Sequence, residues 1–370
     1  MNVHDFHIDP ETLHETPDHP AELATWLDEQ RPDDHHSWSA VGLAARLLRR
    51  LDQAEDAANR ALALRPTTAA RLRRAHVLQW QGRFPEANAE FEACLADAGD
   101  LLDYAHQHAG KCHYDQGRWD LALEHFHKAL RLRTTPDLVA STELAIDAAD
   151  ACLTAATTAT ELHRLVPAVH RASGPRVVAR ITDRPPHLGL LADLASLLVT
   201  GPVPRETARN LHRYTADIDT HHTQLAEAGW LTSTPDEVTA TPRCLPVLHL
   251  VNEVHAEVAT TFWPTPIPIP IQVDHPMAKA TTGPSPAAHL FDQLRALRHH
   301  RADAHAHAWS AEGLTAQEMQ DLPADTPTRI RIEATTNRLA SRPYRPLTRE
   351  SRTNLITALR TLADKSTEPT

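Results

Sequence analysis

The sequence predicts a mostly α-helical protein. It should open with a stack of helical hairpins, continue with three helices closed by a β-hairpin, and end in a C-terminal helical block. Three observations lead there. Small and aromatic residues recur with a period of about 34 residues in the first part of the chain. Apolar residues keep a helical spacing through most of the rest. Only 11 Gly and 5% aromatic residues occur in 370, which argues against a sheet-rich sandwich or barrel and against Gly-rich nucleotide folds.

Composition narrows the class further. The length suits two or three domains, each with a real core. Four Cys rule out a disulfide scaffold. No run of 18 apolar residues occurs, and the opening MNVHDFHIDPETLHE is acidic rather than apolar. The expectation is a cytoplasmic protein that does not engage membranes. Arg outnumbers Lys 33 to 4, and His reaches 26. GC-rich codon usage accounts for both, so a His cluster carries less weight here than in an average chain.

Residues 1–36 hold ten acids and one base, Arg31, for a net charge of -9. Six His and four Pro complete the segment. It reads as a largely disordered acidic arm with a short helix at PAELATWLDEQ. Such an arm is either a solubilising tail or a cover for a basic surface. A basic stretch lies at 326–365, with nine basic residues against three acids.

The repeat occupies 37–172. Ala54, Ala87 and Ala122 align at spacings of 33 and 35, and four residues on stand Ala58, Phe91 and Phe126. Then come Ala61, Cys94 and Ala129, while Gly42, Ala75 and Gly110 precede the first set by twelve. Trp38 and Pro66 flank the first unit, and QGRF (81–84) and QGRW (116–119) turn the second and third. Small residues let antiparallel helices approach, an aromatic fills the hole between hairpins, and one hairpin alone cannot bury its apolar face. These positions resemble the tetratricopeptide repeat over roughly 37–134, most closely in AHQHAGKCHYDQGRWDLALEHFHKALRLR. His113 stands where an aromatic is usual, and no Pro closes units two and three. Residues 137–172 continue as two apolar helices, a degenerate fourth unit or a cap. The resemblance implies a concave groove lined by Arg46, His76, Gln79, Trp80, Tyr104, Gln107, Lys111 and Tyr114, and a protein or peptide partner within it.

Residues 185–263 read as three helices and a hairpin. LAEAGWLTSTPDEVTATP ends a helix at Ala228-Gly229 and reverses at a Pro-Asp turn. The pattern resembles the winged helix of MarR-like bacterial regulators. Thr223, Gln224 and Arg243 are its candidate DNA contacts. Yet residues 187–263 carry a net charge of -5, and Asp217 and Asp219 open the would-be recognition helix. DNA binding by a homodimer and a purely packing or protein-contact role both remain open.

The Pro-rich linker, 264–287, begins PTPIPIPIQVDHP, whose Pro residues make it an extended strut with Ile side chains laid against a groove. The last block, 288–365, contains HHRADAHAHAW. His300, Asp303 and His307 fall on one helix face there, with His305 off it. Two imidazoles and a carboxylate can hold a divalent metal. A solvated His-rich face is the plainer alternative, so the expectation is no cofactor, with a divalent metal as the exception. With AEGLT and IEATTNRLASRPY, this run resembles an actinobacterial family labelled SalK-like, whose H-R-x-D-x-H matches His300, Arg301, Asp303 and His305. His255, in EVHAEVATTFWP, resembles another of its segments. The chain departs from that family in carrying its winged helix before, not after, the His run.

No GxSxG, CxxC or phosphate-binding Gly loop occurs. The expected function is therefore a protein-interaction adaptor or regulator, acting through the repeat groove and, in one version, at a promoter. The alternative is a metal- or ligand-dependent enzyme or sensor using the C-terminal His/Asp cluster.

Overall fold

A computed structural model describes residues 3–280 and 282–366, so Met1, Asn2 and Thr281 of the predicted segments lie outside the described residues. The chain divides into two compact units, Met1–Leu153 and Thr154–Thr370.

The first unit opens with strands β1 (Phe6–Ile8) and β2 (Glu15–Pro17), paired antiparallel with Ile8 opposite Glu15. Helix α1 (Pro20–Glu29) follows, started by a Pro in its first turn. The prediction of a disordered arm is thus corrected for the rest of residues 3–36, while the helix predicted at PAELATWLDEQ is α1. Apolar residues spaced along the arm give it something to bury: Leu13, Leu23 and Leu27 are all core residues. The Asp9 side chain accepts bonds from the Glu11 and Thr12 amides, which closes the loop between the strands.

Three helical pairs come next: α2 (His35–Leu47) with α3 (Leu51–Leu64), α4 (Thr68–Trp80) with α5 (Phe84–Ala96), and α6 (Leu102–Asp115) with α7 (Trp119–Leu132). Asp34 and Thr67 cap α2 and α4 through their side chains. Each first helix ends with the same pair of crossed backbone bonds: Arg49 to Arg46 and Arg50 to Ala45, Gly82 to Gln79 and Arg83 to Leu78, Gly117 to Tyr114 and Arg118 to His113. This termination needs a left-handed residue, supplied by Gly82 at φ 74° and Gly117 at φ 72°. Arg49 holds the equivalent position at φ 61°, where a side chain is disfavoured.

Ala54, Ala87 and Ala122 are fully buried between the paired helices, as their spacing requires. The residues 137–172, read as two helices, belong to one helix, α8 (Pro136–Arg180), because LTAATTAT (153–160) holds no Gly or Pro to stop it. Within the first unit, its residues Ala145, Ala148, Ala149 and Cys152 pack against the third pair.

The second unit contains the remainder of α8, then α9 (Leu188–Leu198), β3 (Val203–Pro204), α10 (Arg205–Leu211), α11 (Ile218–Glu227), β4 (Leu231–Ser233), β5 (Glu237–Ala240) and α12 (Leu245–Phe262). The three strands form one antiparallel sheet in the order β3-β5-β4. Extended chain then leads through a 3-10 turn at Pro276–Lys279 to α13 (Pro286–Ala311), α14 (Ala316–Asp321), α15 (Pro327–Ala340) and α16 (Arg349–Lys365). Ile269 and Ile271 of the extended stretch are buried. One continuous core joins them to Trp230, Trp263 and Phe291.

Gly110 and Gly42 occupy corresponding repeat positions but differ in tolerance. A methyl group at Gly110 would lie 2.5 Å from the fully buried Phe126 ring, whereas one at Gly42 would meet nothing nearer than 3.6 Å. Gly110→Ala should therefore lose about 1–3 kcal/mol by overpacking, partly offset by better helix propensity. Gly42→Ala should be neutral or stabilising by about 0.5–1 kcal/mol. Urea denaturation of the two variants checks this, and equal midpoints would contradict it.

Candidate functional site

The first helix of each pair faces the hollow side of the first unit, and the sequence predicted an open groove there. The structure corrects this. The hollow is occupied by the chain's own residues 9–17, the loop and second strand of the amino-terminal hairpin. Glu15 sits at the centre, 5% exposed. Arg46 Nη1 donates to its Oε2 at 2.8 Å and Lys111 Nζ to its Oε1 at 2.7 Å. His76 Nε2 lies 3.9 Å from Oε2. Burial alone would raise the Glu15 pKa, but Lys111 and Arg46 override it and hold the carboxyl well below its usual range.

His14 fills the next place. Its ring stacks on Trp80 with centroids 4.6 Å apart. Arg49 Nη2 donates to His14 Nδ1 at 3.0 Å, so the proton on Nε2 is the one offered to Asp115, also at 3.0 Å. Asp115 accepts from Gln79 Nε2 as well, at 2.7 Å. The guanidinium of Arg49 lies 3.9 Å from the Trp80 ring centroid and that of Arg46 4.4 Å. Leu13, at φ 59° and 1% exposed, enters the core formed by Tyr114, Trp119, Phe126 and α8. Tyr114 donates its hydroxyl to the Glu11 carbonyl at 2.7 Å.

Arg46, His76, Gln79, Trp80, Lys111 and Tyr114 therefore do gather on one surface, under this plug. Gln107 turns its carbonyl oxygen to the Thr142 hydroxyl of α8 at 3.1 Å. Tyr104 stays 39% exposed at the edge, with the Arg133 guanidinium over its ring. Arg49, His108 and Asp115, with the plug residues themselves, were missed. Arg49 was detectable, since it replaces the Gly found at that turn in units two and three.

Among the described residues, Glu15, His76 and His108 are the one group of three metal-ligand types whose donor atoms lie within 4.8 Å of one another. Their surroundings do not suit a cation. Both Glu15 oxygens already bind a fixed positive charge, and Arg46 and Lys111 would repel another.

The second unit disperses the other candidates. Asp303 is bound by Arg213 Nη2, with His275 Nε2 3.2 Å from its other oxygen. His305 meets the Tyr214 hydroxyl at 2.8 Å. His300 and His307 border a cleft, and His255 is buried against His170 and Phe291. These five do not form a three-ligand cluster among the described residues. Of the candidate DNA contacts, Thr223 bonds the Asp219 carbonyl and Gln224 bonds His187. Arg243 spans Asp183 and the Ala228 carbonyl while lying over Trp230.

Residues 103–135 match the Tetratricopeptide repeat family. This is the third helical pair, the one that carries Lys111 and Tyr114. No curated protein and no solved structure matches the chain. Among the described residues, no helix is long and apolar enough to cross a membrane.

The buried histidines make the first unit acid-sensitive. Burial, then Arg46, lowers the His76 pKa; burial, then Lys111, brings His108 to about 3. Burial also brings His113 and His125 to about 4. These folded values lie below the ordinary His value near 6.5, so only the unfolded chain takes up protons just below that pH. The stabilisation is complete above about pH 6.5 and is lost as the pH falls toward the folded values. Stability should drop between about pH 7.5 and about pH 5, and His108→Gln should remove about 2 kcal/mol of that drop. Denaturation at the two pH values checks it; a pH-independent midpoint would contradict it.

Proposed function

We propose that the chain is a protein-interaction adaptor whose groove is held by its own amino-terminal segment and opened by a partner segment carrying an acidic residue. A tetratricopeptide repeat supports a protein-binding role in general. The observation that carries the finer reading is the Glu15 carboxylate between Arg46 and Lys111. Removing a buried carboxylate leaves two buried cations unpaired, which is strongly unfavourable. A competing segment must therefore bring its own carboxylate, and an apolar residue beside it would replace Leu13.

Residues 9–17 have the features of a replaceable occupant. They belong to the same chain, so their effective concentration is high without tight intrinsic binding. Leu13, within this segment, has a positive φ of 59°, a conformation an L side chain rarely adopts. Such backbone strain lowers the stability of the closed state and favours exchange.

The element order of 188–240, with its β3-β5-β4 sheet, supports a winged-helix architecture in the second unit. A transcriptional role draws less support. Arg205 and Arg209 are committed to Asp219, and Arg243 to Asp183. Few cations there are left for phosphates, so the reading favoured is one of packing or protein contact. The enzyme or metal alternative rests on a His/Asp set whose Asp303 is already engaged.

A labelled peptide of residues 3–19 tests the adaptor reading. Full-length protein with Leu13→Ala and Glu15→Gln together should bind it on the order of tenfold more tightly than the wild type does. The same peptide with Gln at position 15 should lose that advantage. Equal binding by both proteins, or indifference to the carboxylate, would overturn the proposal.

A further inference from the structure

The plug does not fill the hollow completely. A cavity of about 560 Å³ lies beside Glu15, between β1 and the helices α4 and α6. Phe6 and Ile8 of β1 form one apolar wall, and Leu72 and Leu101 another. Several polar nitrogens border the same space without a hydrogen-bond partner. Gln107 Nε2 is one, on a residue only 3% exposed; His76 Nε2 is a second, on a residue 5% exposed; His108 Nδ1 is a third. The Gln107 amide nitrogen can only donate. Arg73 also reaches this wall.

Charge sets the sign of what fits. Arg46, Arg73, Lys111 and Arg133 line the cavity; Glu15 pairs with Arg46 and Lys111, and Arg133 with Asp103 at 3.0 Å, so the lining keeps a net positive charge. A buried donor without an acceptor, such as the Gln107 amide, is costly, and an oxygen-rich anion would satisfy it. The apolar walls ask for a hydrocarbon body behind that head. The volume suits a small molecule rather than a chain segment.

We propose that this cavity binds a small amphipathic oxyanion, a carboxylate or phosphate monoester with an apolar body of about eight carbons. Its head meets Gln107 and Arg73, and its body lies between Phe6, Ile8 and Leu72. Because Phe6 and Ile8 lie on β1, the strand paired with β2 of the plug, the ligand binds the closed groove and stabilises it. It thereby raises the partner concentration needed to open the groove, a consequence that rests on the adaptor reading.

Calorimetric titration of the full-length protein with octanoate, octyl phosphate and octanol tests the site. At least one oxyanion should bind saturably, one per chain, and octanol should bind on the order of tenfold more weakly or worse. Whether octanoate or octyl phosphate binds more tightly identifies the head group. Gln107→Leu and Arg73→Met should each weaken the oxyanion about tenfold. Arg73 is an exposed residue, so Arg73→Met keeps the test informative if Gln107→Leu perturbs folding. No saturable oxyanion binding at millimolar concentration, octanol binding as tightly as octanoate, or unchanged affinity in Arg73→Met would each overturn the proposal. Oxyanion binding without peptide capture sinks the adaptor reading alone, and peptide capture without oxyanion binding sinks this one alone.

Discussion

Taking the Glu15 carboxylate out of water is unfavourable by itself, and so is burying Arg46 or Lys111. The three are tolerable only together, at 2.8 and 2.7 Å. The first unit is arranged around that constraint. Stacking three helical pairs places Arg46 and Lys111 on the same hollow face, together with Arg49. Without an acidic occupant these like charges would repel across a narrow space. The -9 charge of residues 1–36 supplies the occupant, and the β1–β2 pairing delivers one particular carboxylate. A buried ion pair adds little net stability, but it discriminates strongly against occupants that lack the charge.

Arg49 shows the same preference from the backbone side. At this turn Gly82 and Gly117 serve units two and three without strain. Unit one accepts a strained Arg, and its guanidinium reaches both Trp80 and His14. Strain held at one contact surface marks that surface as functional more convincingly than exposure would. Leu13 adds a second instance on the other side of the contact.

The repeats were legible because their signals are local. Ala54, Ala87 and Ala122, the QGR turns and the Phe91 and Phe126 positions each report a contact within one or two helices. The groove residues were legible for the same reason, since helix phase alone puts Arg46, His76 and Lys111 on one face. The plug was not. Its pairing joins Glu15 to Lys111, 96 residues away, and no periodicity records that. Net charge and Pro content pointed to disorder, while the decisive features were single residues: Leu13, and the Asp9-Pro10 turn that aims it. In the second unit the His300, Asp303, His307 face was correctly phased on α13, but Arg213 and His275, which engage Asp303, come from distant segments.

Residues 9–17 lie inside the hollow of the first unit, with Glu15 held by Arg46 and Lys111. Hydrogen exchange of the full-length protein reads this directly, because the Leu13 amide bonds the Asp9 carbonyl at 2.8 Å within that segment. The Leu13 amide, and the Asp9 amide that bonds the His14 carbonyl at 2.9 Å, should exchange as slowly as those of α4 and α6. Exchange at the rate of an unstructured chain, with α4 and α6 still protected, would contradict it.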